Sequence, residues 1–181
     1  VATAIDAGYR TDHVLTFSAA RLQRRVWAVK GRSGQGVPPW PKRPPKPCRE
    51  RIAPVHVVGV DAMKATLMSR LRIEDGGPGS CCWPADRDLI WHQGLVAERP
   101  IRRYTKGVAR IEWKVDPGVR NEPLDARIYA TAALHGLFAM GFRLSDAADK
   151  IAAAPLRTPS GAPSAISKPS RPTTIRSRWL G

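Results

Sequence analysis

Asp6, Asp61 and Asp125 are three carboxylates placed where folding could bring them together. Asp6 closes the apolar run Val1-Ala2-Thr3-Ala4-Ile5, and Asp61 follows Val55-His56-Val57-Val58-Gly59-Val60. Asp125 ends the run Arg120-Asn121-Glu122-Pro123-Leu124-Asp125, at the entrance to a long Ala-rich segment. Two of these acids therefore follow expected strands, and the third opens an expected helix. Their hard oxygens suit Mg²⁺ or Mn²⁺, and a pair of divalent ions so held can activate water, stabilise charge on phosphoryl oxygens and assist a leaving alkoxide. Clustered without a cation, the carboxylates would repel and at least one would titrate high. The competing reading is structural: Asp61 caps the helix after it, and Asp125 favours the positive end of its own.

Lesser candidates surround these three. Lys64, one helical turn beyond Asp61, could touch a phosphate or balance the acids, and a solvated helix lysine is the alternative. Glu122, three residues before Asp125, could orient a metal-bound water or serve the helix terminus. Asp12 and Glu98 are possible extra ligands. His13, His56, His92 and His135 form no spaced pair, which argues against a histidine-dependent mechanism. Trp40, between Pro39 and Pro41, could stack on a base or a partner.

The elements that must position these residues read as follows. Ala2 to Asp6 is a short strand closed by Ala7-Gly8. Thr11 to Gln23 fits neither helical nor strand periodicity cleanly. Val26 to Val29 is a strand, and residues 31–54 form a loop whose seven prolines exclude a core element. Val55 to Asp61 is the clearest strand, with a helix over Ala62 to Arg72 on Met63, Leu67 and Leu71. Glu74 to Pro84 is turn material, and a short helix covers Asp86 to Gln93. Gly94 to Tyr104 and Val108 to Val115 form a hairpin around Lys106-Gly107. The final helix starts near Pro123 and runs to about Phe142. Residues 1–150 then form one α/β domain, and 151–181 a Pro-rich basic tail that could touch DNA.

Composition narrows the partner. Thirty Lys and Arg against 15 Asp and Glu give a formal net charge of +15, which points to an anionic partner, nucleic acid first. Lys42, Arg43, Lys46, Arg49 and Arg51 lie in the Pro-rich loop, and Arg99, Arg102, Arg103 and Lys106 border the hairpin. Such groups would hold phosphates without reading sequence, or form a solvated face. No apolar run reaches the roughly 20 residues that span a bilayer, and a cytosolic protein is expected. Cys48, Cys81 and Cys82 have no CxxC spacing, so neither a zinc site nor a disulfide framework is indicated.

The blocks Ala4-Ile5-Asp6-Ala7-Gly8-Tyr9, Val58-Gly59-Val60-Asp61-Ala62-Met63-Lys64 and Arg120 to Asp125 followed by Tyr129-Ala130 resemble, in this order, the nuclease domain of lambda-like tailed-phage terminase large subunits. Val96-Ala97-Glu98 and Trp113-Lys114 add to the resemblance, which covers about residues 4–141. It implies an RNase H-like fold, a mixed central sheet flanked by helices, and divalent-metal cleavage of concatemeric viral DNA in the host cytoplasm. Asp6 and Asp61 would be its first and second strand acids, and Asp125 the acid of its C-terminal helix. Where the family often has Ser after the first acid and Cys after the last, this chain has Ala7 and Ala126. Gly31-Arg32-Ser33-Gly34-Gln35-Gly36 lacks the Lys-Ser/Thr ending of a phosphate loop. An ATPase domain is therefore expected ahead of Val1 in the intact protein, whose partners would include the terminase small subunit and the portal. Two other readings remain open: a resolvase- or transposase-like nuclease on the same scaffold, and a non-catalytic DNA-binding or docking module.

Overall fold

The computed structural model describes residues 1–43, 45, 53–74, 76–105 and 107–154. Three parallel strands form its sheet in the order β1 (Thr3–Asp6), β2 (Val26–Arg32), β3 (Val55–Gly59). The register sets Asp6 beside Val29, and Gly31 beside Val58. β2 is thus the central strand, and its alternation serves both sheet faces. Ala28 packs with Ala7, Leu15 and Ala53 on the side of α1 (Thr11–Ala19). Trp27 and Val29 join Val58, Met63, Leu67, Leu124 and Ile128 on the other side, under α2 (Val60–Arg70) and α4 (Glu122–Ala139). A parallel sheet covered on both faces is the arrangement that β-strand–helix–β-strand crossovers produce.

α4 buries Leu124, Ile128, Ala132, Ala133 and Gly136, a stripe close to the four-residue spacing of one helix face. Gly136 permits a close approach: a Cβ there would come within 2.7 Å of Trp27 and 3.0 Å of Trp40. Trp40 stacks on His56, ring centroids 4.5 Å apart, and tilts against Trp27. It is therefore part of the core packing and not a free stacking platform, so the Pro-rich segment does contribute to the core. Two hydrogen bonds tether the same segment across the sheet end, Gly59 N–H to the Pro38 carbonyl and Gly34 N–H to Asp61.

Gly59 is fixed by that crossing. A Cβ at this position would stand 2.1 Å from the Val37 carbonyl oxygen and 2.9 Å from that of Pro38, both backbone atoms that no rotamer change can move. Gly59→Ala should cost about 2–3 kcal/mol and lower the melting temperature by roughly 8 °C. Circular dichroism melts read this directly, and an unchanged midpoint would mean that the loop does not cross β3.

Several boundaries depart from the sequence expectation. α2 begins at Val60, so Asp61 lies in the first helical turn and not at a strand end. Thr11 to Gln23 resolves into α1 and a 3₁₀ turn over Leu22–Arg24. Its mixed period arises because Phe17 is exposed, its ring covered by the Arg21 guanidinium at 3.9 Å. The expected short helix is α3 (Leu89–Leu95), capped by Asp88, whose Oδ1 accepts from Trp91 N–H. The hairpin is present as β4 (Glu98–Thr105) and β5 (Val108–Val115). Among the described residues these two strands pair only with each other, so the central sheet is parallel throughout and not mixed.

The chain divides into two units, Val1–Phe142 and Arg143–Gly181. In the second, described to residue 154, α5 (Leu144–Ala152) buries no side chain. Of the expected basic tail over 151–181, Ile151 and Ala152 end α5, while residues 155–181 with their prolines lie outside the described residues, as do Lys46, Arg49, Arg51 and Lys106. No helix among the described residues is long and apolar enough to cross a membrane.

Candidate active site

The C-terminal edge of a parallel sheet is where helix N-termini and loops converge, and where open α/β sheets commonly bind ligands. Asp6 ends β1 at this edge. Its Oδ1 accepts from Gly8 N–H at 3.0 Å and from the Tyr129 hydroxyl at 3.3 Å. Tyr129 belongs to α4, one turn beyond Asp125, and residues four apart share a helix face. Its hydroxyl rests on β2: a Cβ at Gly31 would come within 2.9 Å of it. Asp6 and Asp125 are thereby brought to the same ring.

Electrostatics agree with that proximity. The Asp125 carboxyl is half-buried and held above the usual carboxylate range, chiefly by desolvation. Lys64 pulls it back down, while Glu98, Asp6 and Glu122 push it up. Burial, and then the charges of Asp6 and Asp125, push the Tyr129 hydroxyl up to about 12, so it keeps its proton at neutral pH and remains a donor.

Behind Asp125 lies a buried ion pair. Lys64 Nζ donates to Glu98 Oε2 at 2.7 Å, and both side chains are more than nine-tenths buried. Glu98 Oε1 accepts from Asn121 Nδ2 at 2.8 Å, and the same nitrogen donates to Asp125 Oδ2 at 3.3 Å. Lys64 is thus neither solvated nor available to a phosphate, and Glu98 has both oxygens engaged and no free one for a metal.

Asp61 lies at the same sheet edge, because β3 ends beside Arg32 of β2 and α2 starts at the next residue. Its Oδ2 accepts from Gly34 N–H at 2.8 Å, while its Oδ1 is buried with no hydrogen-bond partner. It makes no cap to α2: among the described residues its carboxylate accepts only from Gly34 N–H. Asp6 and Asp125 thus both act on Tyr129, and Asp61 is held by the amide of Gly34. Among the described residues, no group of three or more His, Cys, Asp or Glu side chains is arranged to hold a metal ion.

The accessory acids are elsewhere. Asp12 is exposed in the first turn of α1 and binds neither Asp6 nor Asp125. Glu122 is exposed and paired with Arg120 at 3.1 Å, and the hydrogen bond from that guanidinium holds its carboxyl below the usual range. The pair borders an open cleft of about 440 Å³ between α3 and the start of α4, lined also by Ile90, Trp91, Gly94 and Pro123.

With this geometry in place, comparison with known families is decisive. A family model described as the endonuclease domain of the terminase large subunit gpA matches residues 1–148. The chain belongs to that family. No curated protein and no solved structure gives a significant match. As a terminase endonuclease domain, the chain has DNA as its substrate, and its exposed cations take on a specific meaning. Lys42 and Arg43 are exposed in the loop that crosses β3. On the hairpin, Arg99 pairs with Asp116 and Arg103 with Glu112, whereas Arg102, Arg110 and Lys114 are exposed with no ion pair among the described residues. Arg103 faces Arg110 and Arg99 faces Lys114 across the ladder, like-charge neighbours that an acidic side chain or an anionic ligand must offset.

Two residues of the site were not expected from the sequence, Asn121 and Tyr129. Their signal was the spacing 121, 125, 129, which aligns three polar side chains along one side of the start of α4.

Proposed function

We propose that this terminase endonuclease domain cuts concatemeric viral DNA by divalent-metal catalysis, with Asp6, Asp61 and Asp125 as the ligands of Mg²⁺ or Mn²⁺ on an RNase H-like scaffold. The observation that carries the reading is common to all three acids. In each, one oxygen is engaged by a protein donor and the other receives no hydrogen bond from the described residues: Asp6 Oδ2, Asp61 Oδ1 and Asp125 Oδ1. The Asp61 oxygen is buried as well, and a buried anionic oxygen without a donor is costly unless a cation meets it. Hard, charged and partly desolvated, these oxygens fit a divalent ion in kind.

Bound divalent ions would supply an activated water and Lewis-acid stabilisation of the phosphoryl oxygens. The chain's own part is to hold charge in place. Asp6 and Asp125 concentrate negative charge beside Tyr129, and the buried Lys64 opposes the upward push that burial and the neighbouring acids exert on the Asp125 carboxyl. Exposed Lys42, Arg43 and Arg102 hold the DNA backbone, with Lys46 and Lys106 assigned to the same role, giving binding that weakens steeply with salt and reads no sequence. In the intact protein, acting in the host cytoplasm, the small subunit, the portal and an ATPase domain would choose and deliver the DNA.

Supercoiled plasmid incubated with Mn²⁺ or Mg²⁺ should be nicked and linearised, and EDTA should stop the reaction. Scission that continues in EDTA would overturn metal dependence. Salt-sensitive binding without scission in either metal would instead favour a docking module, and a strong preference for four-way junctions over duplex would favour a resolvase.

A further inference from the structure

Asn121 occupies the residue before α4, where an Asn side chain ordinarily accepts from the free N–H groups of the first turn. It makes no such cap. Forgoing a cap costs about 1 kcal/mol, so a stronger arrangement holds the side chain elsewhere. That arrangement is its Nδ2 shared between Glu98 and Asp125, with Glu98 itself anchored by the buried Lys64. Two helical turns along, Tyr129 does for Asp6 what Asn121 does for Asp125. Its hydroxyl reaches Asp6 Oδ1 over a gap that only a glycine at position 31 leaves open. Both donors are neutral. They restrict the rotation of the two carboxylates without offsetting their negative charge, whereas an Arg or Lys in either place would compete with a cation for it.

We propose that Asn121 and Tyr129 are positioning residues: each takes one oxygen of an acid, Asp125 or Asp6, and so presets the other oxygen for a divalent cation. This rests on the reading of Asp6 and Asp125 as metal ligands. Donors that orient a ligating side chain typically change metal affinity by about 10–100-fold when removed.

The test is Mn²⁺ binding without DNA, followed by isothermal titration calorimetry or by the electron paramagnetic resonance signal of free Mn²⁺, on Tyr129→Phe and Asn121→Ala. Tyr129→Phe keeps the ring and removes only the hydroxyl, so folding is not at stake. Melting temperature in EDTA reports any purely structural effect. Each variant should bind Mn²⁺ roughly tenfold or more weakly, beyond any change in stability. Wild-type Mn²⁺ affinity in either variant, whatever its melting temperature, overturns the proposal. Asp125→Asn separates the two levels of argument. Mn²⁺ binding that survives Asp125→Asn removes the ligand assignment itself, whereas binding lost there but intact in Tyr129→Phe and Asn121→Ala removes the positioning roles alone.

Discussion

Asp125→Asn is expected to reduce Mn²⁺-dependent DNA cleavage by roughly 10³-fold while leaving the domain, in EDTA, at least as stable as the wild type. The first half follows from the role assigned to the carboxylate, since Asn keeps the shape and removes the charge that a cation requires. The second half follows from the environment of Asp125. Burial, Glu98, Asp6 and Glu122 hold its folded-state pKa above the ordinary value, with only Lys64 opposing them. A carboxyl raised in this way contributes stability that is fully present below its unfolded pKa and is lost as pH rises through the folded one. At pH 7 the ionised group therefore weakens the fold, and Asn relieves that. The wild type should gain on the variant as pH falls from neutrality toward the ordinary Asp value of about 4, where the gain is complete. Thermal melts in EDTA between pH 4 and 8, set beside plasmid cleavage, test both halves. A variant that melts far below the wild type at pH 7 would make Asp125 a structural acid.

Lys64→Met should have the largest effect on stability. Lys64 and Glu98 are a buried pair at 2.7 Å, and deleting the cation strands a carboxylate whose remaining donor is Asn121. Breaking such a pair costs about 3–5 kcal/mol, a fall of roughly 10 °C or more for a domain of this size. Lys64→Met/Glu98→Gln should recover much of that loss, because replacing both charges removes the stranded one as well. The double variant would still cleave poorly. Asp125 would have lost the cation that lowers its pKa, and Asn121 would have lost the anionic anchor that turns it toward Asp125. A single variant as stable as the wild type would show that water reaches Glu98 and that the pair is not buried in solution.

The same two side chains show how far local sequence can be read. Lys64 stands at an ordinary helix position and Glu98 at the start of an ordinary strand, and nothing within a few residues of either indicates burial. Their meeting depends on α2 and β4 arriving at the same place, 34 positions apart in the chain. Trp40 is a similar case. Flanked by prolines it reads as an exposed aromatic, yet Gly136, almost a hundred residues later, leaves the space that lets it pack beside Trp27. The parallel sheet had no local signal either. The hairpin of β4 and β5 was legible because its turn and its alternation are local, but whether it extends the central sheet is a matter of hydrogen-bond partners far away in sequence.

What the sequence by itself determined is the chemistry available: an excess of basic charge, aspartates at the ends of core elements, and ordered blocks shared with terminase endonucleases. These are properties of residue type and short-range order. The tertiary structure decided which acids are partners. It set Asp6 beside Asp125 through Tyr129, turned Glu98 inward onto Lys64, and left Asp61 on the amide of Gly34 with one buried oxygen unmatched. The reason is physical: a carboxylate's role is settled by which donors and charges surround it and by how much water remains. Those surroundings come from strands and helices far apart along the chain, so they exist only once the chain has folded.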